Sequence, residues 1–116
     1  MSYRFFSENE FRTLTPSCSL SDMDEDFMCR LDNARALAGF PFVITSAFRS
    51  REWDRSRGRS GNSYHCKGCA VDISCNDSSK RFVIVQSLMR SGFKGIGIAK
   101  TFIHVDNRIN GIIFLY

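Results

Sequence analysis

The chain has two histidines, and each shares a short segment with an aspartate. His65 lies in Ser63-Tyr64-His65-Cys66-Lys67-Gly68-Cys69-Ala70-Val71-Asp72, and His104 lies in Phe102-Ile103-His104-Val105-Asp106. His104 stands among Phe102, Ile103 and Val105, a run that reads as a buried strand. An imidazole there is costly unless its nitrogens are satisfied, so this segment needs a partner from elsewhere in the chain. His65 precedes Asp72 by seven residues, with Gly68 and Ala70 between them. A tight turn in this interval returns the ring over a strand that begins near Ala70, and Asp72 then points the same way. Two neutral imidazoles and one carboxylate are a common protein share of a catalytic zinc sphere, with one position left for water or substrate. A lone histidine in an apolar run is more often a hydrogen-bonded core residue, and spacing alone does not separate the two readings.

Ser63, His65, Gly68, Ala70 and Asp72 spell S-x-H-x-x-G-x-A-x-D, which resembles the first zinc motif of the D-alanyl-D-alanine carboxypeptidase family. His104-Val105-Asp106 resembles its second motif, and Ser46-Ala47-Phe48-Arg49-Ser50 resembles its upstream S-G-Y-R-S. The three occur in the family's order, and the resemblance runs from about Phe40 to Arg108. That family includes D-Ala-D-Ala dipeptidases of vancomycin resistance and phage and bacterial cell-wall endopeptidases, and its zinc fold resembles the Hedgehog signalling domain. The resemblance implies one Zn2+ held by His65, Asp72 and His104. It also implies a peptidoglycan peptide as substrate, cut as a carboxypeptidase or as a crosslink endopeptidase. Arg49 would meet the substrate carboxylate, a task suited to a planar guanidinium. Ser63 would hydrogen-bond the substrate, although a serine in a Gly/Ser-rich loop also serves simply to form a turn.

One position departs from the pattern. Many relatives carry a glutamate three residues before the last histidine, and Thr101 stands there in this chain. A threonine cannot act as a base near neutral pH. Asp106, two residues after His104 and on the same strand face, is the catalytic candidate that remains. Its alternative role is to orient His104 or a substrate amine.

At 116 residues, 43% of them hydrophobic and eleven of them Phe, the chain reads as one globular domain, residues 1–116, with residues 1–20 as an amino-terminal arm. A net charge of +4 fits attraction to an anionic polymer or a solubility role. Arg49, Arg51, Arg55, Arg57 and Arg59 crowd a segment with Gly58, Gly61 and several serines, which reads as a solvated loop. No nucleic-acid partner is expected, and no apolar stretch is long enough for membrane insertion. Oligomeric state is not legible. Five cysteines, an odd number, and the absence of a signal-peptide pattern point to synthesis in a reducing cytoplasm. Action on a cell wall then needs release at host lysis or carriage on a virion, hence the expectation of a phage-encoded protein.

Two rival readings stand beside the peptidase. Cys66 and Cys69 form C-x-x-C next to a histidine, and with Cys75 and His65 they would make a closed structural zinc module. A catalytically inactive recognition module of the same fold is the other, because fold does not settle function.

The expected architecture is a small α+β domain whose antiparallel sheet carries the zinc site, flanked by two main helices. The first helix is expected from Ser21 as cap, with Phe27, Leu31, Ala34 and Ala38 on its apolar face and Gly39 as its stop. A strand is expected over 42–48, with Arg49 at its end, and a second through Ile73. Another helix follows Asn76, Asp77 and Ser78, its apolar stripe drawn from Phe82, Val83, Val85, Leu88 and Met89, with Met89 in the core. Residues 94–99 and 101–106 are expected as strands, and Asn110-Gly111 as a hairpin turn leading into Ile112–Tyr116. Cys69 is expected to point back towards the core.

Overall fold

In the computed structural model, which describes residues 3–116, the amino-terminal arm is laid against the body; Met1 and Ser2 of that arm fall outside the described residues. The backbone N–H groups of Arg4 and Phe5 donate to the buried Asp32 carboxylate at 3.1 and 3.0 Å. Phe6 and Phe11 pack edge to face with centroids 6.3 Å apart, the second of them in the short helix α1 (Asn9–Arg12). A 3-10 turn, Leu20–Asp22, follows, closed by a capping box between Ser19 and Asp22.

The first long helix, α2 (Glu25–Ala38), begins later than the expected Ser21 cap. Met23 is extended, so the 3-10 turn cannot run on into the helix. Asp24 caps it instead, accepting the Phe27 N–H at 2.9 Å, and Gly39 ends it in the left-handed conformation. Phe27, Met28, Leu31 and Ala34 are buried along one face. Replacing Asp24 with alanine is expected to lower stability by about 1 kcal/mol, read as a shift in urea midpoint at unchanged slope.

β1 (Ile44–Ser46) is shorter than the 42–48 expected, because its register with the next strand slips between Ile44 and Ser46. The arginine-rich segment is not a plain loop. It contains the helix α3 (Arg51–Ser56), capped by Ser50, whose hydroxyl accepts the Trp53 N–H. β2 (Ala70–Ser74) follows a second 3-10 turn, Tyr64–Lys67. Asp77 caps α4 (Ser78–Arg90). The buried face of α4 is Ile84, Ser87 and Leu88, so the helix is rotated from the expected stripe. Met89 and Phe82 are exposed, which corrects the core assignment of Met89.

β3 (Gly95–Ile98), β4 (Phe102–Asp106) and β5 (Ile112–Leu115) complete a five-stranded sheet of order β1-β2-β4-β3-β5. All neighbours are antiparallel except β3 and β5, which run parallel. The Asn110-Gly111 hairpin is therefore a correction: the chain leaving β4 passes the end of β3 and pairs on its far side. Period-two alternation splits the sheet. Val71, Ile73, Ile96, Ile103 and Val105 enter the core with α2, α4 and Phe93, which meets Phe27 edge to face at 5.3 Å. Each such fully buried side chain contributes about 1.5–3 kcal/mol of burial free energy. The opposite face presents Asp72, His104, Asp106 and two glycines. No helix among the described residues is long and apolar enough to cross a membrane.

Candidate metal centre

The pairing of β2 with β4 sets Asp72 directly opposite His104 and Ala70 opposite Asp106. His65 arrives from the 3-10 turn, which Gly68 closes at φ +71°. A Cβ on Gly68 would run into the Asp22 carbonyl oxygen, so this turn needs both the left-handed backbone and the bare Cα. The turn is tied at both ends. The Asp24 N–H donates to the Gly68 carbonyl, and the Arg49 N–H donates to the His65 carbonyl at 3.3 Å.

His65 Nε2 and His104 Nδ1 both face Asp72 Oδ1, at 3.4 and 3.1 Å. One donor atom from each of the three residues falls within 4.8 Å of the others. The remaining ring nitrogens fix the tautomers. Ala47 O, 2.8 Å from His65 Nδ1, can only accept, so the proton sits on Nδ1 and Nε2 keeps its lone pair. Asp106 Oδ2, 2.8 Å from His104 Nε2, likewise takes that nitrogen's N–H and leaves Nδ1 free to ligate. Two imidazole lone pairs and a carboxylate oxygen converging on one point fit zinc chemistry.

The electrostatics agree with a cation at that point. Where a proton rather than a metal lies between the inner ring nitrogens and Asp72, burial opposes the charged form of this carboxylate, yet hydrogen bonds from His104 and His65 outweigh it and hold its pKa at about 2. Burial likewise opposes the charged form of His104, and hydrogen bonds to Asp106 and Asp72 outweigh it, raising its pKa above the ordinary value. Donors that attract a proton this way also attract a metal ion, and the two compete.

Asp106 is fully buried and fully engaged. Its Oδ1 accepts the Arg108 backbone N–H at 3.1 Å and Nε at 2.8 Å, and its Oδ2 accepts Nη2 at 2.7 Å as well as His104. Burial opposes its charge, but the Arg108 bonds prevail and its pKa falls far below the usual carboxylate range. Gly95, opposite Asp106 on β3, makes room for this pair: a Cβ there would collide with Asp106 Oδ1 and lie 2.7 Å from Arg108 Nε.

The centre forms one wall of a cleft of about 440 Å3. Arg49, Arg59, Asn62 and Ser63 line it on one side. Arg49 sits 3.4 Å from Asp54, a completely buried carboxylate of α3 that also accepts the Gly61 N–H. The angle at this pair is too poor for a hydrogen bond, so Asp54 acts on Arg49 by charge. Ser63 stands at the start of the His65 turn without a side-chain capping bond, and its hydroxyl lies 3.6 Å from the Cys66 sulfur. Phe102, Phe114 and Tyr116 line the cleft too. The Phe114 ring lies 5.5 Å from that of His104, and it and Tyr116 rest over Gly97, where a Cβ would come within 2.6 Å of Phe114.

The structure thus brings Arg49, Ser63, His65, Asp72, His104 and Asp106 into one cleft. Thr101 is not among its lining residues; it is exposed in the β3–β4 turn, where its carbonyl accepts the Cys75 N–H. The structural Cys/His module is not assembled: among the described residues the convergent group is His65, Asp72 and His104, and Cys66, Cys69 and Cys75 are free thiols. Cys69 is buried as expected, but in the wall of a neighbouring cavity, outside the apolar core cluster. Sequence reasoning missed Asp54, Arg108, Phe114 and Tyr116. Only Arg108 carried a local signal, an arginine two residues beyond Asp106 at a strand end.

No curated protein matches the chain. The sequence profile of the peptidase M15 family matches residues 7–106, covering every residue of the centre and all of the sheet except β5. M15 peptidases are zinc-dependent, and the chain belongs to this zinc D-alanyl-D-alanine carboxypeptidase-like family.

Proposed function

We propose that the chain is a zinc peptidase acting on peptidoglycan peptides, at a bond involving a D-amino acid, as a carboxypeptidase or a crosslink endopeptidase. One observation carries this reading: two lone-pair imidazole nitrogens and one carboxylate oxygen converge in the wall of an open cleft. One zinc ion there would supply Lewis acidity to a peptide carbonyl and an acidified water. The protein does the rest. Arg49, steadied by the buried Asp54, binds a substrate carboxylate, and Ser63 hydrogen-bonds the peptide at the rim. The aromatic side excludes water from one flank. Release at lysis or carriage on a phage particle is the route to the wall that goes with this reading.

Asp106 belongs here as a positioning carboxylate. Both of its oxygens are taken by Arg108 and His104, so it can accept a proton only by giving up one of these bonds. Replacing Asp106 with asparagine is expected to weaken zinc binding by about 10–100-fold. The accompanying loss of activity should be partly recovered at saturating zinc. If Asp106 is instead the general base, zinc affinity will hold while kcat drops by about 10²–10⁴-fold at any zinc concentration.

The same engagement of Asp106 favours a second reading, a recognition module that binds wall peptides without cutting them. Incubating the zinc-loaded protein with defined muropeptides, with and without chelator, separates the two by mass spectrometry. Chelator-sensitive release of D-alanine or splitting of a crosslink supports the peptidase. Intact muropeptides with zinc at one equivalent support the recognition module.

A further inference from the structure

Beside the cleft lies a larger cavity of about 680 Å3, and the two share Tyr64 and Arg108 as a common wall. Its other lining residues include Lys67, Asn107, Asn110 and Ile112, and none of them is acidic. The nearest carboxylate through the shared wall, Asp106, is buried and already holds two guanidinium nitrogens of Arg108. Arg108 Nη1 has no hydrogen-bond partner among the described residues, and Lys67 has no carboxylate partner among them. Both cations lie against one ring, Lys67 Nζ 5.0 Å and the Arg108 guanidinium 5.2 Å from the Tyr64 centroid, and Asp106 fixes the second of them.

We infer that this cavity is a second substrate subsite, which takes a carboxylate-bearing residue of the peptide whose scissile bond lies at the metal centre. The inference rests on the peptidase reading and deepens it. Arg108 is paired with Asp106 but keeps Nη1 for a ligand, and Lys67 beside it has no carboxylate partner among the described residues, so this wall carries one unbalanced positive charge that recognises an anion. The Asn107 and Asn110 amides supply the paired donors and acceptors that a peptide backbone needs. The volume admits a whole residue with its side chain. Arg49 lines only the cleft and Lys67 only the adjoining cavity, so a peptide with two carboxylates can meet one cation centre in each. The preferred substrate is then a peptide with a free acid on both stretches of chain, not one ending in a single carboxylate.

The test uses the full chain loaded with zinc and two muropeptides identical except that one carboxylate on the acyl side of the scissile bond is free or amidated. The free acid is expected to be preferred about tenfold in kcat/KM, the scale of a charge-assisted hydrogen bond. Lys67→Ala should narrow that preference to less than about twofold, through KM, and Lys67→Arg should restore it. Equal kcat/KM for the two peptides, or an unchanged ratio in Lys67→Ala, overturns the subsite while leaving the peptidase reading intact. If neither peptide is cut, amide chemical shifts decide. Shifts at Lys67, Asn107 and Asn110 on titration with the free-acid peptide, absent with its amide, support the subsite even as the peptidase reading fails; no shifts there overturn both.

Discussion

Replacing His104 with alanine is expected to abolish stoichiometric zinc binding and, with it, chelator-sensitive hydrolysis. Loss of an outer partner of a metal ligand costs about 10–100-fold in affinity, and loss of a ligand itself costs more. The expected fall is therefore beyond about 100-fold. The pH dependence carries the same residue's mark. Zinc needs a neutral His104 ring, and that ring's pKa is raised by Asp106 and Asp72 against the effect of burial. Protons therefore compete from a higher pH than at an ordinary histidine, and zinc affinity should weaken as pH falls through that raised value and recover above it. Asp72, held at about 2, stays ionised over the same range and adds nothing to the decline. Calorimetry in two buffers of different ionisation enthalpy counts the protons released. Retention of one zinc at wild-type affinity by the His104→Ala protein would remove this residue from the ligand set.

The second large effect is expected at a position with no chemistry of its own. Gly95→Ala places a methyl group against Asp106 Oδ1 and within 2.8 Å of Arg108 Cγ, both belonging to a buried ion pair opposite it on the sheet. Neither atom is the free end of a flexible chain, since Asp106 is fully buried and Arg108 is fixed at three points. Overpacking costs about 1–3 kcal/mol, and loosening a buried pair adds to it, so a loss near 3 kcal/mol is expected. The fold should show this in its denaturation midpoint. The metal should show it too, because Asp106 holds the His104 tautomer: zinc affinity falls although no ligand has changed. Wild-type stability in Gly95→Ala would mean that β3 can move away from Asp106 at no cost.

Much of the centre was legible because its determinants are local. The Gly68 turn, the alternation around Asp72 and the apolar run around His104 each act over a few residues, and strand pairing then sets Asp72 against His104. Gly39 ended α2 for an equally local reason, its left-handed backbone. What escaped depended on distant partners. The helix α3 was masked by its arginines, although Ser50 followed by acidic residues in the first turn is a capping signal. The Asn110-Gly111 dipeptide fits a hairpin, but Gly97 leaves bare backbone on β3 over which Phe114 and Tyr116 lie, and β5 takes that edge instead. The rotation of α4 likewise follows from its packing partner: Ser87 turns inward by donating its hydroxyl to the Val83 carbonyl at 2.7 Å, and Met89 is left outside. The engagement of Asp106 by Arg108 is a matter of side-chain geometry, which spacing along the chain does not fix.

The outermost strand gives the cleft two walls of unequal permanence. β5 is paired on one side only, and Ile112, Ile113 and Leu115 are exposed, so little apolar burial secures it. The candidate ligands His65, Asp72 and His104 stand on the Gly68 turn, β2 and β4, none of which depends on β5 for its pairing. Peeling β5 away would carry off Phe114 and Tyr116 while leaving the His–Asp–His cradle whole. Two of the aromatic rings of the cleft thus rest on the least secured strand of the sheet, while the His–Asp–His cradle rests on its best secured part.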